Sequence, residues 1–152
     1  FQREPFIASF NLLSKNGTNI ENITLITVHT KPAQAVNETA SLHNVVETYK
    51  TNSTESDIIL LGDFNADCGY ASTYDLNQLD IRSPEYLWVV PDSADTTYSE
   101  NTHCAYDRIV LTSYVDGRFF GKWGVDRNMS SSEISDHYPV WFDLDIREDV
   151  PE

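Results

Sequence analysis

Asp57-Ile-Ile-Leu-Leu-Gly-Asp-Phe-Asn-Ala-Asp-Cys-Gly69 sets a continuous aliphatic run directly against a polar loop. The run ending at Leu61 is bounded by turn residues and lacks the alternation of a half-exposed strand. It therefore reads as a strand buried on both faces. The following segment, from Gly62 to Gly69, reads as a tight functional loop that carries Asp63, Asn65, Asp67 and Cys68.

Working outward, Ile23-Thr-Leu-Ile-Thr-Val-His-Thr30 alternates threonine with aliphatics and reads as a second strand. Lys31-Pro32 ends it, because the residue before proline is pushed out of the helical region. Between these strands Val36, Ala40, Leu42, Val45, Val46 and Tyr49 recur at helical spacing, and Asn52-Ser-Thr54 stops the helix. On the other side, Tyr74 to Arg82 reads as a short helix and Tyr86 to Val90 as a strand. A polar loop follows from Pro91 to Thr97. Tyr106 to Thr112 and Val140 to Ile146 are two further strands, the last aiming Val140, Phe142, Leu144 and Ile146 to one side. Arg147 to Glu152 reads as an acidic tail. Strands broken by one clear helix, with no repeat or linker, define a single α/β (α+β) domain.

At 152 residues the chain suits one domain, long enough to bury roughly 70% of its unfolded surface. With 40% hydrophobic and 22% charged residues, global disorder is excluded. No apolar run approaches the ~20 residues of a membrane span, so no membrane partner is expected. Lys and Arg number 10 against 24 Asp and Glu, a net charge of −14. That balance excludes a protein that coats nucleic acid with cationic side chains, because each phosphate neutralised needs a cation. If such a chain handles phosphates, divalent metals must supply the positive charge.

Five Asn-X-Ser/Thr sequons, at Asn16, Asn22, Asn37, Asn52 and Asn128, indicate a secreted, extracellular glycoprotein. Cys68 and Cys104 are the two cysteines. On composition they are either reduced core residues or a bridge, which would close a loop worth about 4 kcal/mol. The chain opens on Phe1 with no methionine and no signal-peptide pattern, as expected of a processed product or a piece of something longer.

Polar residues gather at the ends of the expected strands: His29, then Asp63 and Asn65, then Asp107, then Asp136-His137. Singly, each has a plain explanation, since a strand-end Asp usually caps a turn and a lone His usually serves as a surface hydrogen bonder. Four separate loops offering carboxylate, amide or imidazole beside apolar strands suit metal-assisted phosphodiester hydrolysis. Carboxylates bind Mg²⁺ or Mn²⁺, which prefer hard oxygen ligands. An imidazole titrating near neutrality moves the proton. An Asp on its second nitrogen orients it and stabilises its charged form.

Six segments then fall into a recognisable order. Phe1-Gln-Arg-Glu-Pro-Phe6, Val28-His-Thr-Lys-Pro32, Gly62-Asp-Phe-Asn-Ala-Asp-Cys68, Asp92-Ser-Ala-Asp-Thr-Thr97, Asn101-Thr-His-Cys-Ala-Tyr-Asp-Arg-Ile-Val110 and Ser135-Asp-His-Tyr-Pro-Val140 resemble the deoxyribonuclease I-like family. Gly-Asp-Phe-Asn and Ser-Asp-His are shared across its endonuclease/exonuclease/phosphatase superfamily, whereas Cys-Ala-Tyr-Asp-Arg-Ile points to the deoxyribonuclease branch. The resemblance implies the C-terminal half, at residues 1–146, of a four-layer α/β/β/α sandwich with mostly antiparallel sheets, followed by the tail at 147–152.

The resemblance also implies roles. His29 and His137 look like the catalytic histidines, Asp107 like the partner of His137, Asp63 and Asp136 like metal carboxylates, and Asn65 like the holder of the scissile phosphate. Arg3 and Tyr106 match positions that contact DNA in the minor groove. Asp95 and Thr97 resemble part of a structural Ca²⁺ loop, although Tyr98-Ser-Glu-Asn101 departs from the usual threonine-rich pattern. Cys68 and Cys104 match the family's structural disulfide. The N-terminal half supplies one metal glutamate and the glutamate that pairs with the first histidine, which leaves His29 without its expected partner. The expected function is thus a secreted, metal-dependent endonuclease acting on DNA. Its partner is a missing N-terminal half or a second copy, and the contacts that engage actin lie largely in the absent half. Two rivals stand beside it: a non-catalytic half-domain that binds a protein, and a phosphodiesterase on lipid or inositol phosphate. Arg3 and the Cys-Ala-Tyr-Asp-Arg-Ile segment favour DNA, and Trp123 is the single candidate for a membrane wedge.

Overall fold

The computed structural model describes residues 1–14, 16–17, 19–112, 119–128 and 133–144. Ile146 of the expected last strand and the tail at 147–152 lie outside them. Strand β1 (Phe6–Leu13) forms a hairpin with β2 (Asn19–His29), and a 3-10 turn at Pro32–Gln34 leads into helix α1 (Ala35–Asn52). Strand β3 (Ile58–Asp63) follows, then a one-turn helix α2 (Thr73–Leu76), β4 (Tyr86–Trp88), β5 (Asp107–Thr112), β6 (Phe119–Val125) and β7 (Val140–Leu144).

Five strands form one sheet in the order β1-β2-β3-β5-β4, and β6 pairs with β7 in a second. Among the described residues only β2 and β3 run parallel; the other neighbours are antiparallel, as expected. A parallel pair needs a crossover, and α1 supplies it. The helix starts where the sequence places it because Pro32 fixes its own φ. The buried Glu38 then reaches back, accepting from the backbone N–H of Lys31 at 2.8 Å and of Gln2 at 2.9 Å. That carboxylate ties the first residues to the loop after β2.

The central strand is buried on both faces: Ile58, Ile59 and Leu60 are inaccessible or nearly so. On one face Ile26, Val28, Ile58 and Leu60 pack with Leu42 and Val46 of α1 and with Phe64. On the other, Ile23, Ile59, Ile109 and Leu111 meet Trp123, Val140, Phe142 and Leu144 from the β6–β7 hairpin. The layers therefore stack as helix, sheet, second sheet. Edge strand β1 is the exception, leaving Phe6, Phe10 and Leu13 exposed.

Some expected boundaries move. The helix expected at Tyr74–Arg82 is two pieces, α2 and a 3-10 turn at Asp80–Arg82. Ser72 Oγ caps the first by accepting from Asp75 N, and Asn77, a poor helix former, follows it. The strand expected at Tyr86–Val90 stops at Trp88. Cys68 and Cys104 form a disulfide with Cα atoms 5.9 Å apart, pinning the loop after β3 to the segment before β5. All five sequon asparagines are exposed. No helix among the described residues is long and apolar enough to cross a membrane.

Candidate active site

Strand register brings the first three site residues together. His29 is paired with Asp63 across β2 and β3, and Asp63 with Asp107 across β3 and β5. The three thus form a row at one end of the sheet. Gly62 makes the row possible. Its φ is +134°, and a Cβ there would run into the carbonyl oxygen of Val28 on the neighbouring strand.

The loop after β3 is then locked. Asn65 sits in the left-handed region at φ +47°, which asparagine tolerates better than most residues. Its backbone N–H donates to Asp63 Oδ1 at 2.9 Å and its amide to Thr30 O at 3.1 Å. Thr30 Oγ1 donates in return to Phe64 O at 2.6 Å.

His137 arrives from the segment before β7. Thr97 and His137 form an isolated antiparallel bridge, with Tyr138 N donating to Thr96 O at 2.8 Å and Tyr98 N to Asp136 O at 2.7 Å. Thr96 is fully buried, and its hydroxyl accepts from Tyr106 N at 3.2 Å and Asp107 N at 3.1 Å. One threonine thereby fixes both Asp107 and the segment carrying His137.

In that frame His137 Nδ1 lies 2.8 Å from Asp107 Oδ2 and 3.9 Å from Asp63 Oδ2. The hydrogen bond to Asp107 raises the His137 pKa above its ordinary value despite burial. Burial raises the Asp63 carboxyl as well, and the neighbouring Asp107 charge adds to it. His29, in place of the expected partner, has Nε2 3.5 Å from Asp63 Oδ2.

These groups line a cleft of about 500 Å³ with Arg3, Asn65, Tyr70, Tyr106 and Asp136. Arg3 donates to His29 O at 3.5 Å, and Tyr106 lies between the rings of Tyr70 and His137. All the candidate catalytic, metal and DNA-contacting positions therefore converge on one cleft. Asp95 and Thr97 lie apart from it, in the adjoining loop.

The donor set fits a hard divalent cation. Asp63 and Asp136 both line the cleft, and Asp63 is a carboxyl destabilised by burial and by the like charge of Asp107, which a cation would relieve. Two supports stand in the quoted segments without having been singled out. Thr96 has no periodic signal. Arg108 is fully buried, with Nη1 on Val90 O at 3.0 Å, Nη2 on Ala66 O at 3.1 Å and an ion pair to Asp92 at 3.0 Å. Its only cue is its place in Tyr-Asp-Arg-Ile109.

The stacked helix, sheet and sheet with a carboxylate–histidine cleft at the strand ends define the class. This is the fold of the endonuclease/exonuclease/phosphatase superfamily. The endonuclease domain of TRAS1, a telomere-specific non-LTR retrotransposon, matches 91% of this chain and 63% of its own at TM-score 0.60 and 15% identity. An endonuclease/exonuclease/phosphatase family protein from Bacteroides thetaiotaomicron matches 88% and 52% at TM-score 0.56 and 20% identity.

Sequence narrows the class. Deoxyribonuclease-1 of Bos taurus is 37% identical over 152 residues, 92% of this chain and 52% of that protein. Deoxyribonuclease-1-like 1 of Homo sapiens is 36% identical over 155 residues, 96% of this chain and 50% of that protein. Over nearly its whole length the chain is similar to deoxyribonuclease I and its relatives, and it spans about half the length of the curated relatives it matches. No protein-family model matches it.

Proposed function

We propose that this chain provides about half of the catalytic domain of a secreted, divalent-metal-dependent endonuclease that hydrolyses DNA phosphodiester bonds. The observation that carries the reading is the in-register row His29, Asp63, Asp107 with His137 closed onto it. Exposed sequons and the disulfide support secretion.

Asp107 is engaged by His137, so Asp63 and Asp136 are the carboxylates left to hold Mg²⁺ or Mn²⁺. When bound, the metal would neutralise phosphate charge and favour the pentavalent transition state. The side chains supply the rest. Asn65, fixed by Asp63 and Thr30, holds the phosphate through its amide. His137, whose charged form Asp107 favours, gives its proton to the leaving oxygen. His29, more exposed on the far side of Asp63, takes the proton of the attacking water. Arg3 and Tyr106 at the cleft rim hold the DNA strand. The complete site needs the remainder of the family's fold, from an N-terminal half or a second copy.

Nicking of supercoiled plasmid by the chain, alone and with the complementary half, tests this. The expected result is nicking that requires Mg²⁺ or Mn²⁺ and falls roughly 10²–10⁴-fold in His137→Ala. Cleavage of a lipid or inositol phosphodiester in preference to DNA would assign the site to the neighbouring chemistry. Binding without cleavage under every condition would make it a non-catalytic half-domain.

A further inference from the structure

The atoms around Asp95 do not fit the calcium loop that its sequence resembles. Ca²⁺ takes roughly six to eight oxygen ligands. Here the Asp95 oxygens already face N–H and O–H donors. Oδ1 accepts from Thr97 N at 3.1 Å and lies 2.8 Å from Thr97 Oγ1. Oδ2 lies 3.1 Å from His103 Nδ1 and 3.3 Å from Arg127 Nη2, and the same Nη2 donates to the Asp95 backbone carbonyl at 2.9 Å. Thr97 Oγ1, the other expected ligand, is 2.6 Å from Thr102 O.

Arg127 reaches this loop from the connection after β6, 32 residues away in sequence. Its guanidinium carries a full positive charge across the physiological range. It also lies over the Tyr138 ring at 4.8 Å, an attractive cation–π arrangement one residue from His137. A cation therefore stands against the Asp95 carboxylate.

We propose that Arg127 takes the place of a divalent cation at Asp95, so that the order of this loop is built into the chain and independent of calcium. The staple matters because of what it joins. The loop bridges Thr97 to His137, and Thr96 within it receives the Asp107 N–H. Arg127 thus holds the two halves of the His137–Asp107 pair in one frame from outside the cleft. The inference does not depend on the reaction proposed above.

Amide hydrogen exchange of the 152-residue chain tests it, read at Asp95 to Cys104 and normalised to the amides of Leu60 and Val110. The expected result is equal loop protection in calcium and in EGTA for the natural chain, and severalfold faster loop exchange in Arg127→Gln at unchanged β3 and β5 protection. Asp95→Asn should loosen the loop likewise, and the double variant should fall short of the sum of the two, as coupled partners do. Slower exchange on adding calcium to the natural chain would overturn the proposal. So would an Arg127→Gln loop that exchanges at the natural rate, or an additive double variant.

Discussion

His137 Nδ1 stands 2.8 Å from Asp107 Oδ2 as an ion pair, and that oxygen is buried without a well-directed hydrogen bond among the described residues. A buried carboxylate oxygen left to itself is costly, and here the facing imidazole, when charged, offsets that cost as an ion pair. The pairing also settles the ring: with Nδ1 on Asp107, Nε2 is free to face the cleft. Strand register carries Asp107, and the Thr97–His137 bridge carries the histidine, so two separate backbone pairings must both form for the contact to exist.

The first prediction concerns that titration. The His137 pKa in the folded chain is raised above its ordinary ~6.5 by the hydrogen bond to Asp107. A group raised on folding contributes stability that is full below the unfolded pKa and lost as pH rises through the folded one. Stability should therefore decline from ~6.5 upward through the His137 midpoint, and Asp107→Asn should flatten that slope. An NMR titration of the imidazole in the presence of chelator checks it. A midpoint at or below ~6.5 in the natural chain would contradict the pairing.

Much of this was legible in the sequence, for physical reasons that differ by element. The unbroken run before Gly62 announces β3 because a strand covered on both faces has no reason to alternate. Helix α1 shows its period because one side packs on the sheet. Strand β1 escapes such reading, since most of its residues are exposed and no inside-outside alternation marks it. The site residues were legible as separate loops, but nothing in the periodicity says that Asp63 pairs with Asp107; antiparallel register decides that. The burial of Arg108 was not legible for a simpler reason. An arginine reads as surface until the carbonyls that surround it are known.

The second prediction follows from that arginine. Burial pushes the Arg108 guanidinium down to about 10, yet it still pairs with Asp92, which Arg82 also holds at 2.7 Å. Asp92 is exposed and keeps Arg82, so the cost of losing Arg108 falls on the buried acceptors it serves, about 1–3 kcal/mol for each one left unsatisfied. Arg108→Met frees the carbonyls of Ala66 and Val90. Urea unfolding should show a loss in that range. A loss under about 1 kcal/mol, the scale of a surface ion pair, would place the guanidinium in solvent instead.

The third prediction uses the bridge between Cys68 and Cys104. Their separation of 36 residues implies about 4 kcal/mol in the chain-entropy account of a closed loop. Because the bridge also ties the loop after Asn65 to the segment before Asp107, its loss should be felt at the site as well as in stability. A Cys68→Ala, Cys104→Ala double variant should unfold at markedly lower urea and show faster exchange at Asn65 and Ala66. Unchanged stability would mean the unfolded chain is already constrained by other contacts.

The last prediction comes from edge strand β1. It ends the sheet, and Phe6 is 68% and Phe10 48% exposed. These two share the sheet face on which Leu12 packs with the β6–β7 cluster, so the hairpin covers only part of the surface that face presents. An open strand edge with exposed aromatics beside it invites another strand and another apolar layer. Relatives about twice as long as this chain would have the material to provide both. The isolated chain should therefore associate in sedimentation experiments and nick DNA poorly, since a displacement of about 1 Å in a catalytic group can cost a hundredfold in rate. Phe6→Lys with Phe10→Lys should shift it toward monomer while leaving the disulfide and the His137 titration intact. A monodisperse monomer of the natural chain with strong metal-dependent nicking activity would show that these residues alone complete the site, and the reading of β1 as an uncovered edge would fail with it.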